Sequence, residues 1–516
     1  MGSYKILWVD DEVDLLKPHL IFLEAKGFEV VPINNGRDAL EVMGESDFDL
    51  VFLDEHMPGM SGLEVLNKLK NLRPHLPVVM VTKNEEEHIM EEAIGSKISD
   101  YLIKPVNPNQ VLLSIKKILD NQRIRSEKTN TSYQQQFAEL SMQIQDDLDH
   151  EDWVDIYKKL VYWELEFDQS QDKSMKEVLQ AQWRDANHSF STFIKKEYLN
   201  WFNEANDRPV QSHEVLKKKV FQSINDDLPT FFILIDNLRW DQWQTLEPEI
   251  LKDFKLTEKR HYYAILPTTT EYARNALFAG LLPIKIAKQF PQYWVGDDTD
   301  EGKNNFESEL LGENLKRSGF NIDYSYHKII HEKQGRNLLE KLNQMNKTPF
   351  NAIVYNFVDM LSHARTDMNV IKQLAPDESA YRELTLTWYN HSSLKELLKE
   401  LSQMPARVII TTDHGTVKVQ KAEKIIGDRE TNTNLRYKQG KRLEFNRKHI
   451  FEITDPAKAG LPQNNLSSTY AFAHDQLFFA YPNNLNYYAN HFKDTFQHGG
   501  ISMEEMILPL IFLENK

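Results

Sequence analysis

The chain has 516 residues, 41% hydrophobic and 27% charged, with no cysteine and a formal net charge of −16 at pH 7. That length exceeds what one core accommodates, so three domains are expected. The missing thiols exclude disulfides and thiolate metal sites, leaving Asp, Glu, His or hydroxyl oxygen for any metal, and the acidic surplus argues against a surface built for general nucleic-acid or anionic-membrane binding. The sequence contains no run of 18 apolar residues, and MGSYKILWVDDE lacks the basic and long apolar regions of a signal peptide. A cytoplasmic location without membrane insertion is expected.

In residues 1–120 the apolar run Ile6–Val9 ends in Asp10, Asp11 and Glu12, and Leu50–Leu53 ends in Asp54. Val78–Val81 ends in Thr82, and Tyr101–Ile103 is followed by Lys104-Pro105. Helical patterns lie between them, as in Gly62–Leu72 with Leu63, Leu66 and Leu69 on one face. Alternating β and α elements predict a parallel doubly wound sheet, a flavodoxin-like fold with polar groups gathered at one edge. Three carboxylates there repel each other unless a hard cation joins them, and oxygen-only ligands favour Mg2+. Lys104 and the Thr82 hydroxyl are placed to meet a phosphoryl group. The segment holds 12 Lys and Arg against 21 Asp and Glu, so much of the negative charge belongs to it.

The DDE triplet, the LDEHMPGMSG run, Thr82 and DYLIKP together resemble the receiver domain of two-component response regulators. The resemblance implies that Asp54 accepts phosphate, that Asp10 and Asp11 hold Mg2+ with it, and that Lys104 and Thr82 read the phosphoryl group. It also makes Tyr101 the rotating switch aromatic and implies a sensor histidine kinase as partner.

Residues 121–225 carry no strand signal. Tyr133, Phe137, Leu140, Ile144 and Leu148 recur at helical spacing, and Trp153–Trp163 and Trp183–Phe202 continue the stripes. A bundle of about three helices is predicted, its aromatic residues forming a core. The polar stretch Asn121–Ser132 reads as a linker.

In residues 226–516, Phe231–Ile235 ends in Asp236, Ala352–Phe357 is followed by Asp359 and His363, and Arg407–Thr412 ends in Asp413, His414 and Gly415. Thr270 follows Leu266-Pro267-Thr268-Thr269 at the start of a helical run, and His498-Gly499-Gly500 precedes a closing strand, Ile507–Leu513. On their own, Asp413-His414 read more readily as a capping acid and a surface histidine than as metal ligands. The other groups divide into two ligand sets: Asp236, Thr270, Asp413 and His414 for one Zn2+, Asp359, His363 and His498 for a second. A hydroxyl between two metals has an evident chemistry, with Thr270 as nucleophile toward phosphorus. His261, His327, His331, His391, His449 and His474 are expected to be surface or satisfied core residues. Between Gly415 and His449 there are ten Lys and Arg against four Asp and Glu. Arg436, Lys438 and Lys441 in this stretch, and Arg274, either grip substrate phosphates or belong to a solvated hairpin, a receiver contact or an ordinary helix turn.

The motifs DNLRWDQ, LPTTTEYARNALFAG, VDMLSH, TTDHG and HGGIS resemble PglZ domains of the alkaline phosphatase superfamily, and the whole chain resembles PorX-type response regulators of type IX secretion in Bacteroidetes. The implied architecture is α/β: receiver at 1–120, helical connector at 121–225, PglZ domain at 226–516. The implied activity is a metal-dependent phosphodiesterase acting on linear or cyclic oligonucleotides, controlled by Asp54 phosphorylation from a PorY-like kinase, with a phosphorylation-dependent homodimer. Two alternatives remain at this stage. In one, structural metals support a docking platform for a sigma factor or secretion component. In the other, the enzyme is a phosphomonoesterase.

Overall fold

A computed structural model describes residues 4–73, 76–83, 98–169, 173–203, 208–224, 228–295, 304–367, 375, 377–428, 431–463, 467–483 and 485–516. The chain forms two compact units, Met1–Gln135 with Glu166–Met175 and Gln136–Leu165 with Lys176–Lys516.

The first unit carries a five-stranded parallel sheet of β1 (Lys5–Val9), β2 (Glu29–Ile33), β3 (Leu50–Asp54), β4 (Val78–Thr82) and β5 (Asp100–Ile103) in the order β2-β1-β3-β4-β5. Four of these were legible as strands. The fifth, β2, is EVVPI at the sheet edge, where Pro32 needs no ladder bond on its open side. β3 and β4 are buried along their whole length, as strands covered on both faces must be. Helices α1 (Lys17–Glu24), α2 (Gly36–Glu45) and α3 (Gly62–Leu72) connect them. Ser61 caps α3, its hydroxyl accepting from Glu64 N while the Glu64 carboxylate accepts from Ser61 N.

The stretch Asn121–Ser132, expected to be a linker, lies inside one helix, α4 (Pro108–Gln143). It holds neither Gly nor Pro, so nothing in it ends a helix. Helices α5 (His150–Asp168) and α6 (Lys173–Glu197) follow. Their aromatic stripes are core, as expected: Trp153, Tyr157 and Phe190 are buried, and Trp153 meets Phe190 edge-on at 5.6 Å.

The second unit is organised by a six-stranded mixed sheet of β6 (Thr230–Ile235), β7 (Phe254–Tyr263), β8 (Tyr324–Ile329), β9 (Phe350–Tyr355), β10 (Arg407–Thr411) and β18 (Ile507–Asn515), in the order β7-β18-β10-β6-β9-β8. Between β10 and β18 lie β11 (Val417–Lys418), β12 (Lys421–Lys424), β13 (Tyr437–Lys441), β14 (Ile450–Ile453), β15 (Ser468–Ala473), β16 (Leu477–Ala480) and β17 (Phe496–Gln497), which pair as β11-β17, β12-β16 and β13-β15-β14. β6 explains its all-apolar sequence. Phe231, Ile233 and Ile235 face Trp243, Leu246 and Ile250 on and beside α7 (Trp240–Ile250), while Phe232 and Leu234 pack with Leu277 and Phe278 of α8 (Asn275–Ala279). Each such side chain contributes about 1.5–3 kcal/mol on burial. Among the described residues no helix is long and apolar enough to cross a membrane.

Candidate metal centre

Topology alone brings the ligand residues to one edge. β6, β9 and β10 run parallel, with Thr411 opposite Leu234 and Tyr355 opposite Ile235. Continuing the first register by two residues sets Asp413 beside Asp236. β18 is antiparallel to β10, and β7 is antiparallel to β18. β18 therefore begins at that edge, and β7 ends there. His498 precedes β18 and Thr270 follows β7. Thr270 opens a π-helical turn, Thr270–Arg274, that runs into α8, with Thr269 extended as its cap. Such turns recur at functional sites. Asp359 and His363 lie one turn apart on α9 (Phe357–Asp367).

The side chains meet as two adjacent sets. Asp236, Asp413 and His414 each offer a ligand atom within 4.8 Å of the others, and so do Asp359, His363 and His498. His414 Nε2 lies 3.7 Å from Asp236 and 3.6 Å from Asp413. The Thr270 hydroxyl is 3.1 Å from the same nitrogen. Asp359 is 3.5 Å from both His363 Nε2 and His498 Nε2, one through each oxygen. The His414 and His498 rings stack at 4.3 Å, which joins the two sets into one centre. His363 is exposed at its mouth, whereas Asp236, Asp413 and His414 are fully buried.

The donor set fits divalent cations. Asp236 Oδ1 and Asp413 Oδ2 are buried without a hydrogen-bond partner, an arrangement that is costly unless a cation completes it. Burial and the neighbouring Asp236 push the Asp413 carboxyl far above the usual range. Burial acts the same way on Asp236, but Arg274, His414 and His498 outweigh it and hold that carboxyl low. Without metal the pair thus keeps a proton that an ion would displace. Burial, and then His414, lowers the His498 pKa and favours the neutral imidazole that ligates.

The receiver pocket is equally concentrated. Asp10, Asp11 and Asp54 converge within 4.8 Å, and Lys104 Nζ bridges Asp10 at 2.8 Å and Asp54 at 2.9 Å. Asp54 Oδ1 is buried without a hydrogen-bond partner, which suits a hard cation. Burial raises the Asp54 pKa although Lys104 opposes it. Thr82 donates a short hydrogen bond to Glu55, not to Asp54, and Tyr101 is 41% exposed.

Residues 215–513 match the family described as the BREX system PglZ alkaline phosphatase-like domain. The chain belongs to the PglZ alkaline phosphatase-like family. Ahead of the PglZ match, residues 6–116 match the response regulator receiver domain and residues 123–202 the PorX response regulator linker domain, which together make a PorX-type architecture. The transcriptional regulatory protein SrrA of Staphylococcus aureus is 34% identical over 117 residues, covering 23% of this chain and 48% of SrrA. The chain thus spans about half the length of the curated relatives it matches. A CheY-like receiver domain protein from Methanospirillum hungatei JF-1 is 32% identical, covering 23% of this chain and 97% of that one, with a TM-score of 0.23. A receiver domain protein from Clostridium thermocellum is 28% identical, with coverages of 23% and 98% and the same TM-score, 0.23. The matched PglZ domain is alkaline phosphatase-like, and that superfamily is usually metal-dependent.

Three residues expected to grip substrate in the PglZ domain are committed elsewhere. Arg436 is buried and pairs with both oxygens of Glu505, at 3.2 and 2.6 Å. Lys438 is buried, its ammonium bonded to the Asn432 carbonyl at 2.8 Å, and desolvation lowers its pKa to about 7. Arg274 touches Asp236 at 3.0 Å and Glu307 at 2.7 Å, so it braces a ligand. Lys441, at the end of β13, is half-buried. Asn237 was missed. Its Nδ2 donates to Asp359 at 3.4 Å and its backbone N–H to Asp413 at 3.4 Å, and the signal was its place directly after Asp236 at a strand end.

Proposed function

We propose that this chain is a response regulator whose PglZ domain is a zinc-dependent phosphodiesterase acting on linear or cyclic oligonucleotides, regulating type IX secretion under control of Asp54 phosphorylation. The observation that carries the reading is the single cluster in which Thr270 stands against two adjoining three-residue ligand sets. Asp236, Asp413, His414 and Thr270 would hold one ion, and Asp359, His363 and His498 the other. When bound, such ions act as Lewis acids that lower the pKa of a hydroxyl and neutralise phosphoryl oxygens. Thr270 Oγ1 gives up its proton to water and forms the new bond to phosphorus as the leaving alkoxide departs and is protonated by water. A second water then attacks phosphorus, restoring the Thr270 hydroxyl and releasing a phosphate monoester. Asn237 and Arg274 hold Asp359, Asp413 and Asp236 in place through the cycle. In the receiver, Asp10 and Asp11 carry Mg2+ and Lys104 binds the phosphoryl group on Asp54. Thr82 and Tyr101 then turn inward and favour a dimer.

The test compares bis(p-nitrophenyl) phosphate, short linear oligonucleotides and cyclic oligonucleotides with p-nitrophenyl phosphate, before and after chelation and with Zn2+ restored. Diester turnover that vanishes on chelation and returns with Zn2+ is expected. Faster monoester than diester turnover overturns the substrate class, and full activity after exhaustive chelation overturns the metal assignment.

A further inference from the structure

His474 was expected to be a satisfied or surface histidine. It follows the end of β15 instead, is 3% exposed, and has neither ring nitrogen hydrogen-bonded. A buried imidazole nitrogen left unpaired is costly to hold in place. Its Nδ1 is 2.9 Å from Asp475 Oδ2, while its Nε2 has no partner. His188 of α6 brings its own Nδ1 to 3.3 Å from the same carboxylate oxygen. The two rings stand 6.1 Å apart at 65°, and the three groups offer ligand atoms within 4.8 Å of one another.

We propose that His188, His474 and Asp475 form a third divalent-cation site of the zinc class, separate from the centre at Thr270, which staples helix α6 to the PglZ core. Ligands at about 2.0 Å from a tetrahedral ion stand roughly 3.3 Å from each other, close to the spacings seen. Two imidazole nitrogens and one carboxylate oxygen suit Zn2+. Ser191 donates to the other Asp475 oxygen at 3.0 Å, the outer bond that orients a ligating carboxylate. The exposed side of His188 leaves a fourth position for water.

The location gives the ion its role. One residue before His188, Asn187 Nδ2 bonds both Glu504 oxygens, at 3.2 and 3.0 Å, and its Oδ1 accepts from Met503 N at 2.9 Å. The Glu504 carbonyl in turn backs onto Gly415, where a Cβ would stand 2.0 Å from it. Gly415 adjoins the ligand His414. The staple therefore fixes α6, part of the segment matching the PorX linker, one loop away from the metal centre. Lys195 and Arg436 add positive charge around the site. Arg436 is neutralised by Glu505, which leaves Lys195 as the nearby cation.

The test is a Zn2+ titration of the chelator-stripped full chain, with bound metal counted by mass spectrometry after gel filtration, in the parent and in His188→Ala. His188 is exposed on a helix, so its loss leaves the core intact. The variant is expected to bind about one ion fewer per chain. Zn2+ is expected to slow amide exchange around residue 188 in the parent only. Equal zinc content and equal exchange in the two proteins overturn the proposal. The difference between the two chains does not depend on the Thr270 centre, so Asp413→Asn, which removes a ligand of that centre, should show the same one-ion loss when His188→Ala is added.

Discussion

The Thr270 hydroxyl lies 3.1 Å from Nε2 of His414, 144 positions further along the chain. That nitrogen also stands within 3.7 Å of Asp236, so the hydroxyl rests against the buried acids rather than in open solvent. Thr270→Val keeps the shape and removes only the oxygen. Diester hydrolysis is expected to fall at least ~10³-fold, as for loss of a nucleophile. Thermal stability of the metal-free protein should stay near the parent value, and a variant with parental rates would exclude Thr270 as nucleophile.

Asp413→Asn separates the cost of a buried acid from the benefit of a bound ion. Without metal the Asp413 carboxyl is held protonated by burial and by Asp236, so the neutral amide fits at least as well. With chelator present, variant and parent should melt together, or the variant slightly higher. With Zn2+ both should gain, the parent by about 2.7 kcal/mol more at a hundredfold excess over the Kd of the ion that Asp413 helps to hold. Calorimetry with and without chelator reads both arms.

Much of this centre was legible because its parts sit at strand ends. Asp236, Asp359, Asp413 and His414 each follow an apolar run, and a sheet of parallel β6, β9 and β10 gathers such ends. What stayed hidden were pairings set by the tertiary fold. Arg436 looked like part of a basic loop until Glu505, 69 residues on, closed over it. His188 and Asp475 are 287 residues apart, with no local pattern linking them. β2 was missed because EVVPI is short and interrupted by proline, and the helical course of Asn121–Ser132 because a polar helix shows no apolar period.

In the receiver, Thr82 must leave Glu55 before it can turn to a phosphoryl group on Asp54. Glu55→Ala removes that competing acceptor. A charge-assisted hydrogen bond is worth about 1.5 kcal/mol, so beryllofluoride affinity with Mg2+ should rise roughly tenfold. Fluorescence titration measures it, and unchanged affinity would mean that the Thr82–Glu55 bond does not restrain the switch.

Arg436 gives a contrast between a substrate grip and a structural pair. Both Arg436 and Glu505 are fully buried, and removing one partner strands the other's charge. Arg436→Met is expected to cost about 3–5 kcal/mol of stability. The folded fraction should keep its KM within about twofold, because no substrate contact is lost. A raised KM at parental stability would restore the substrate role.

Glu504 supplies the pH dependence. Burial lifts its pKa from 4.5 to about 7, although Asn187 bonds to its carboxylate. A raised acid is penalised when ionised in the fold. Its burden is absent below the unfolded pKa and grows as pH rises from about 4.5 through about 7. Glu504→Gln keeps an acceptor for Asn187 and removes the charge. The variant should match the parent near pH 4.5 and gain stability progressively to pH 8, by about 1–2 kcal/mol given the side chain's partial opening to water. Thermal melts across that range decide it: a gain that is constant with pH, or largest in acid, would show that Glu504 stays ionised and solvated next to Asn187.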